Sequence, residues 1–309
     1  MKTTKKYELT NETIEFNGVT LHRIKAISSF GNVKAGDLGG WIEKEDNLSQ
    51  IGNAWVYENG KVYGSAKVCN NAQVFGNAKV FETARVNSNA KVYDNAKVFG
   101  DVQVSDNAQV YGNAEIYRNA KVYGNAKVYD DAEVYDNALV YGNTLVCGNA
   151  NVYGNAWVYG KSKVYSNAYI CDNALVTGVA RVHNHAMVGD NARVFDNADV
   201  YENARIYNNA MVYGNAKVCG DAKVFGNARV RGNAQVSDNA RVYGNAWVYD
   251  NAVAFGKSKI CGGARIYGNA KVFDYAEVYD NARICDNTKV CGEAKVCDNA
   301  DNTKNKDEE

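Results

Sequence analysis

The sequence predicts an all-β protein, a single-stranded parallel β-solenoid preceded by a small N-terminal β cap. A six-residue phrase, for example Val-Tyr-Gly-Asn-Ala-Lys at residues 122–127, repeats from Ala54 to Val296 without insertion or deletion. A Val or Ile occupies every sixth position from Val56 onward in 41 hexads, and Ala254 is the one exception. Self-similarity at a fixed short period is typical of solenoids, in which each repeat packs on its neighbours.

Each hexad contains one short strand with an inside and an outside. Ala lies two residues before Val, and side chains alternate along a strand, so both point to the same side. Ala and Val build a thin, dry core without room for a ligand. The residue before Val, often Lys or Arg, then faces water together with the residue after it, which is aromatic in 26 of 41 hexads.

The other two positions of the hexad predict a corner. Gly or Asp is followed by Asn, as in Gly124-Asn125, and Asn fills this last position in 29 of 41 hexads. Asn tolerates a left-handed backbone better than other residues that carry a side chain. We therefore expect the sharp turn of each corner to fall at Asn.

Residues 1–50 lack the hexad, and they begin with a predicted β-hairpin. Asn17-Gly18 is a favoured pair for a two-residue hairpin turn, and it lies between two short apolar runs. This turn pairs Phe16 with Val19 and Ile14 with Leu21 on one face.

A glycine-rich run at residues 36–43 follows the hairpin. We expect it to complete a cap over the strand edges of the first coil, which would otherwise template aggregation. The alternative, a phosphate-binding loop, lacks the lysine and the helix that such loops require. The predicted divisions are a cap at 1–50, a solenoid at 51–298 and a charged, disordered tail at 299–309.

The N-terminal segment carries a family resemblance. Its runs Leu-His-Arg-Ile (21–24), Phe-Gly-Asn-Val-Lys-Ala-Gly-Asp-Leu-Gly-Gly-Trp-Ile (30–42) and Asn-Leu-Ser-Gln (47–50) resemble the opening of YdcK-type β-solenoid proteins. The hexad itself resembles the repeat of left-handed parallel β-helices, which implies a left-handed, triangular coil of about 18 residues. YdcK-type proteins are bacterial and sometimes prophage-borne, and they are called transferases by analogy with hexapeptide acyltransferases. The resemblance supplies no catalytic residues.

Composition excludes several classes of partner and site. The 35 basic and 35 acidic residues balance, so no nucleic-acid partner is expected. No apolar run suits a membrane span or a secretory signal, which predicts a cytoplasmic protein without membrane contact. All eight cysteines directly follow the Val or Ile position, and no two are separated by three hexads, the spacing of stacked neighbours. We therefore expect no disulfide, no metal site and no cofactor.

His183 and His185 are weak candidates for catalytic residues. They lie in the least regular part of the array, where His183 replaces an outward Tyr and His185 replaces a corner Asn. Hexapeptide acyltransferases have a catalytic His near a trimer interface and loops that hold the cofactor, but no loop interrupts the hexads here. No carboxylate is apparent near the two histidines, so repeat drift explains them better than acyl transfer or metal binding.

An apolar set replaces the usual charged residues on one predicted face. Leu139, Trp157 and Leu175 are spaced three hexads apart, which stacks them on adjacent turns. Exposed apolar patches of this kind mark interfaces, and Trp and Tyr are common anchors. We expect self-association or docking of an unknown protein partner, centred on Trp157. The predicted patch consists of Leu139, Tyr141, Trp157, Tyr159, Leu175, Met211 and Trp247.

The leading expectation for function is a non-enzymatic scaffold or protein-interaction solenoid. One face carries Lys91, Lys127 and Lys163 beside a row of Tyr, which leaves a glycan-binding or phage-associated surface component as an alternative. Corner aspartates balance these lysines, so the face has no unopposed field. A hexapeptide-type acyltransferase is the second alternative.

Overall fold

A computed structural model describes residues 5–297 of the chain. The chain forms two compact units, Met1–Lys161 and Ser162–Glu309, and each is built as a parallel β-solenoid with about 14 turns in all. Within the described residues the only helix is a 3-10 turn at Glu45–Asn47. The predicted all-β solenoid is thereby confirmed. Its left-handed sense stays a prediction, and the tail at 299–309 lies outside the described residues.

One turn of the solenoid contains three hexads. Lys91 lies opposite Gln109 in a parallel pair of strands, and Val92 lies opposite Val110. The backbone N–H of Lys91 donates to the carbonyl of Ala108 at 2.9 Å. Every third strand therefore joins the same sheet, and the two-residue strands of each unit form three sheets with parallel pairing.

The first unit begins with longer strands and continues with strands of two residues. The bounds are β1 (Tyr7–Phe16), β2 (Val19–Ala26), β3 (Leu38–Ile42), β4 (Trp55–Val56), β5 (Lys61–Val62), β6 (Lys67–Val68), β7 (Gln73–Val74), β8 (Lys79–Val80), β9 (Arg85–Val86), β10 (Lys91–Val92), β11 (Lys97–Val98), β12 (Gln103–Val104), β13 (Gln109–Val110), β14 (Glu115–Ile116), β15 (Lys121–Val122), β16 (Lys127–Val128), β17 (Glu133–Val134), β18 (Leu139–Val140), β19 (Leu145–Val146), β20 (Asn151–Val152) and β21 (Trp157–Val158).

The second unit contains two-residue strands throughout its described part. Their bounds are β22 (Lys163–Val164), β23 (Tyr169–Ile170), β24 (Leu175–Val176), β25 (Arg181–Val182), β26 (Met187–Val188), β27 (Arg193–Val194), β28 (Asp199–Val200), β29 (Arg205–Ile206), β30 (Met211–Val212), β31 (Lys217–Val218), β32 (Lys223–Val224), β33 (Arg229–Val230), β34 (Gln235–Val236), β35 (Arg241–Val242), β36 (Trp247–Val248), β37 (Val253–Ala254), β38 (Lys259–Ile260), β39 (Arg265–Ile266), β40 (Lys271–Val272), β41 (Glu277–Val278), β42 (Arg283–Ile284), β43 (Lys289–Val290) and β44 (Lys295–Val296).

The core of each unit consists of the Ala and Val positions of the hexads. Ala126 and Val128 are both fully buried, whereas Lys127 between them and Tyr129 after them are only partly buried. The predicted inside and outside of the strand are therefore confirmed. Tyr111 and Tyr129 stack on adjacent turns with ring centroids 4.8 Å apart.

The corner differs from its prediction, because the left-handed residue precedes Asn rather than being Asn. Gly124 has φ 70° and Asp130 has φ 59°, and each lies directly after the aromatic position. A Cβ built on Gly112 would lie 2.7 Å from the backbone nitrogen of Asp130 on the next turn. Close approach of successive turns, as well as backbone conformation, favours Gly at this position.

Asp shares this position with Gly because its carboxylate binds the next turn. Asp94 Oδ2 accepts a hydrogen bond from the backbone N–H of Gly112 at 3.2 Å, and Asp130 Oδ2 accepts one from Gly148 at 3.1 Å. These bonds satisfy amides that the corner geometry leaves outside the sheet ladders.

Corner asparagines form columns along each unit instead of adopting the left-handed backbone. Asn53 Nδ2 donates to Asn71 Oδ1 at 3.2 Å, and Asn71 Nδ2 donates to Asn89 Oδ1 at 3.1 Å. Side-chain amides can repeat in this way because every turn places them at the same height. Asn is therefore selected for its side chain, which both donates and accepts.

The N-terminal hairpin has the predicted register. Phe16 lies opposite Val19 and Ile14 lies opposite Leu21, and the turn residue Asn17 has φ 50°. Both pairings of the sequence analysis are confirmed.

The glycine-rich run becomes strand β3, which extends the solenoid sheet. Trp41 in β3 pairs in parallel with Lys61 in β5. A Cβ on Gly39 would lie 2.5 Å from Ile24 Cγ1, and one on Gly40 would lie 2.6 Å from the carbonyl oxygen of Gly60. These glycines permit close packing of β3, which accounts for them without a phosphate ligand.

The buried core gives a first prediction. Val128→Phe forces a larger side chain into a filled interior and should lower the free energy of unfolding by about 1–3 kcal/mol. Tyr129→Ser should cost less, about 1 kcal/mol or below, because it removes one outward ring and its stacking. Chemical denaturation of both variants checks this, and equal losses would contradict the assigned inside and outside.

Residues 1–50 give a second prediction, that their removal causes aggregation. Without β3, the edge of β5 presents unpaired N–H and C=O groups to other chains. Light scattering of a fragment that begins at Ile51 measures the effect. A fragment that stays monomeric at the concentration where the full chain does would show that these residues are not a cap.

Candidate functional site

His183 lies in the second unit, directly after strand β25, in the outward position that an aromatic residue holds in most hexads. Its side chain is 16% exposed, so it is neither buried in the core nor free in solvent. The ring stacks between Tyr165 and Tyr201, with centroids 4.5 and 5.3 Å away and planes within 6° of parallel. The aromatic column therefore fixes the plane of the imidazole.

Asp199 in strand β28 supplies a carboxylate to this histidine. His183 Nε2 lies 3.1 Å from Asp199 Oδ1, and Arg181 Nη2 donates to Asp199 Oδ2 at 2.6 Å. The Asp199 side chain is only 11% exposed, whereas that of Arg181 is 51% exposed. The expectation that no carboxylate lies near His183 is wrong, because the coil places Asp199 one turn beyond Arg181.

The contact with Asp199 sets the tautomer of the imidazole. An ionised carboxylate can only accept a hydrogen bond, so Nε2 carries the proton and donates it. In the neutral ring Nδ1 then holds the lone pair. Nδ1 lies 3.3 Å from Asn184 Oδ1, but both atoms are then acceptors, so no hydrogen bond between them holds Nδ1 and a substrate O–H or N–H can donate to it. An imidazole that donates to a carboxylate through one nitrogen and keeps a lone pair on the other has the arrangement that a general base requires.

His185 does not join His183 in a common site. Its exposed side chain occupies an asparagine column, where Asn167 Nδ2 lies 3.3 Å from His185 Nε2. It takes the place of a corner Asn, as the sequence predicts. Within residues 5–297, no group of three or more His, Cys, Asp or Glu side chains is placed to hold a metal ion.

In the first unit, the predicted apolar patch includes two stacked pairs. Leu139 lies opposite Trp157 in adjacent strands, and Trp157 is among the most exposed large apolar residues of the chain at 47%. Tyr141 and Tyr159 stack beside them with centroids 4.8 Å apart. The binding role of these residues stays a prediction.

In the second unit, arginines separate the remaining members of the patch. Leu175 lies opposite Arg193, and Arg193 lies opposite Met211 on the next turn. Trp247 follows Arg229, whose guanidinium lies 4.7 Å from the Trp247 ring. The 18-residue spacing alone does not show the cations between these residues, so this part of the face is mixed rather than apolar.

The three-sheet coil with its six-residue strand-and-corner repeat defines the chain as a hexapeptide-repeat β-solenoid. The model of the YdcK β-solenoid repeat matches residues 132–148, 204–220 and 234–250. These matches confirm the resemblance to YdcK-type β-solenoids. Within residues 5–297, no helix has the length and apolar character needed to cross a membrane.

Two similar proteins carry transferase names. The chain is 42% identical over 62 residues to a protein of Escherichia coli K12 named "Uncharacterized acetyltransferase YdcK", a match that spans 18% of this chain and 19% of that protein. A crystal structure from Desulfovibrio desulfuricans named "putative acetyltransferase" is 13% identical, with a TM-score of 0.26, over 72% of this chain and 66% of that one. At that TM-score the likeness carries no structural argument.

The prediction of a non-enzymatic scaffold is contradicted by the acetyltransferase name of the E. coli relative. In the sequence, acyl transfer ranks last because no loop interrupts the hexads and no carboxylate is apparent near the histidines. The coil supplies that partner in Asp199, 16 residues after His183. The sequence signal for this carboxylate is the 18-residue spacing, since Asp199 replaces the usual Lys or Arg one turn after Arg181.

The column around His183 gives a third prediction, on pH dependence. A hydrogen bond to Cys219, together with burial, raises the pKa of Tyr201 to about 12, compared with about 10 in an unfolded chain. Between about pH 10 and pH 12, the folded state therefore retains a proton on Tyr201 that the unfolded state has lost. The resulting stabilisation is fully present below about pH 10 and is lost as the pH rises toward 12.

Phenolate absorbance during an alkaline titration, compared between wild type and Tyr201→Phe, measures this pKa. Cys219→Ala is the matched variant and should lower the pKa of Tyr201, because the sulfur contact is the largest cause of the shift. A Tyr201 that ionises near pH 10 in the folded wild type would contradict the contact.

Proposed function

We propose that this protein transfers an acyl group, with acetyl as the first candidate, from a thioester donor to a hydroxyl or amine acceptor. The observation that carries the proposal is the 3.1 Å contact between the partly buried His183 imidazole and the Asp199 carboxylate. The name of the E. coli relative supports acetyl as the group transferred. The eight free thiols of the described residues suit a reducing compartment, so the cytoplasm is part of the proposal.

In this mechanism His183 Nδ1 removes the proton from the acceptor as its oxygen or nitrogen attacks the thioester carbonyl. The new bond joins the acyl carbon to the acceptor, and the carbon–sulfur bond breaks. The imidazolium then returns the proton to the departing sulfur, so the products are the acylated acceptor and a free thiol. Asp199 stabilises the imidazolium and holds the ring in orientation.

Arg181 has two effects on this chemistry. Its guanidinium pairs with Asp199 and so weakens the stabilisation that the carboxylate gives to the imidazolium. Because the Arg181 side chain is 51% exposed, solvent screens this competition. A guanidinium has five N–H donors, so Arg181 can also direct one toward the oxygen on which charge develops.

The fourth prediction tests the base. With acetyl-CoA as donor and a panel of amino and hydroxyl acceptors, the wild type should release thiol only when a suitable acceptor is present. His183→Ala should reduce this rate by about 10²–10⁴-fold, the usual contribution of a general base. Thiol release measured with a chromogenic reagent gives the rate, and circular dichroism confirms the fold of each variant.

Two further variants separate a base from a structural histidine. Asp199→Asn keeps the shape of the side chain but removes its charge, so it should lower kcat and leave the fold intact. His185→Asn is the control, because it restores the column residue one position after Asn184 and should leave the rate unchanged. Thiol release that is absent from the wild type, or equal in wild type and His183→Ala, would contradict the proposed function.

A further inference from the structure

One aromatic column of the second unit stops at Tyr207, because Gly189 and Cys171 hold the two preceding positions of the column; the space beside Gly189 is the gap. Among the 41 hexads, Gly189 is the only glycine in the position after Val or Ile. Its backbone is not left-handed, and a Cβ built on it would lie 3.0 Å from Cys171 Sγ. Its N–H keeps the regular bond to the carbonyl of Ile206 at 2.9 Å. Conformation and register do not require glycine here. The 3.0 Å approach of Cys171 Sγ leaves little room for a side chain, and the residue lacks the ring that its column carries on later turns.

Tyr207 ends the aromatic column at this gap. Tyr207, Phe225 and Tyr243 stack with centroids 4.9 Å apart and planes within 3°. A planar ring bound beside Gly189 would continue the column by one turn and stack on the open face of Tyr207. Offset stacking at such distances is favourable for aromatic rings.

The gap opens into a cavity of about 270 Å³ lined by side chains of both charges. Its volume lies just below the range of pockets that enclose a drug-sized ligand, about 300–1,000 Å³. It suits one ring system, with any attached groups lying outside. The lining residues are Asp172, Met187, Gly189, Asp190, Arg205, Ile206, Tyr207 and Lys223.

Two cations lie next to each other at the edge of the cavity. Arg205 and Lys223 are opposite one another in strands β29 and β32, and Arg241 follows Lys223 in the same row. Across the described part of the chain, none of the three forms an ion pair with a carboxylate. A row of cations without ion pairs has its N–H donors available for phosphate groups.

The carboxylates of the cavity favour a ring that carries an amino group. Asp172 Oδ2 accepts the backbone N–H of Asp190 at 3.1 Å, and Asp190 Oδ2 accepts that of Asn208 at 2.8 Å. These bonds use the Oδ2 atoms, which leaves the Oδ1 atoms as acceptors. An exocyclic amine on the bound ring is a suitable donor to them.

We propose that the gap at Gly189 binds an adenine-type nucleotide, with its base stacked on Tyr207 and its phosphates on Arg205 and Lys223. The base takes the place of the ring that the column lacks. The phosphates lie along the row of cations outside the cavity. This site does not depend on the proposed acyl transfer, since it requires neither His183 nor a thioester.

Calorimetric titration of the full-length chain with ADP at low salt tests the site. Tyr207→Ala should weaken ADP binding about tenfold, as expected for loss of one stacked base. Gly189→Tyr should weaken it at least about tenfold, because the side chain of the column itself then fills the gap. Ser237→Tyr is the matched control, since it adds a ring at the same hexad position on another sheet and should not change ADP binding.

Three ligands separate the parts of the site. Inosine diphosphate lacks the exocyclic amine and should bind more weakly than ADP. The affinity for adenosine, which has no phosphate, should be the same in the wild type and in the double variant Arg205→Gln, Lys223→Gln. The affinity for pyrophosphate, which has no base, should be unchanged by Tyr207→Ala. Absence of ADP binding at millimolar concentration, or equal binding by Gly189→Tyr and Ser237→Tyr, would overturn the proposal. Thermal unfolding of each variant confirms its fold, and Tyr207→Ala still decides the outcome if Gly189→Tyr does not fold.

Discussion

The backbone hydrogen bond from each strand residue to a carbonyl of the next turn is the constraint on which the rest of the structure depends. The N–H of Tyr93 bonds the carbonyl of Val110 at 3.0 Å, and the same relation recurs through both units. Because the register never changes, equivalent side chains lie directly above one another. Small preferences, such as ring stacking or amide pairing, are therefore repeated at every turn.

New arrangements of side chains arise in such an array where a column is interrupted. His183 enters an aromatic column and receives Asp199 from the following turn, so its partners come from different hexads. Gly189 leaves another column incomplete. The flat faces of a solenoid provide no loops to gather side chains, and substitution within a column is the available means of building a site.

The sequence predicts most of the fold because alternation and fixed period leave few options. Ala126 and Val128 must share a face, and Asn17-Gly18 specifies its hairpin through turn geometry alone. The sequence alone places the left-handed residue of the corner one position too late. Its true position depends on how closely Gly112 approaches Asp130 on the next turn. The His183–Asp199 contact does not follow from the period alone, because it joins neighbouring columns: Asp199 lies one turn after Arg181, and not one turn after His183.

The asparagine columns have a direction. Asn53 donates to Asn71, which donates to Asn89, so the amide dipoles in a column point the same way and reinforce one another. Where Asp131 replaces Asn, it still accepts from Asn113 at 2.9 Å but has no N–H to pass on. Hydrolysis of one column amide to a carboxylate, a common form of protein ageing, would therefore remove the hydrogen bond that this side chain donates to the next turn. The hydrogen bond that it accepts from the preceding turn would remain. Chemical damage would divide a column at one point while the backbone ladders on either side stay intact.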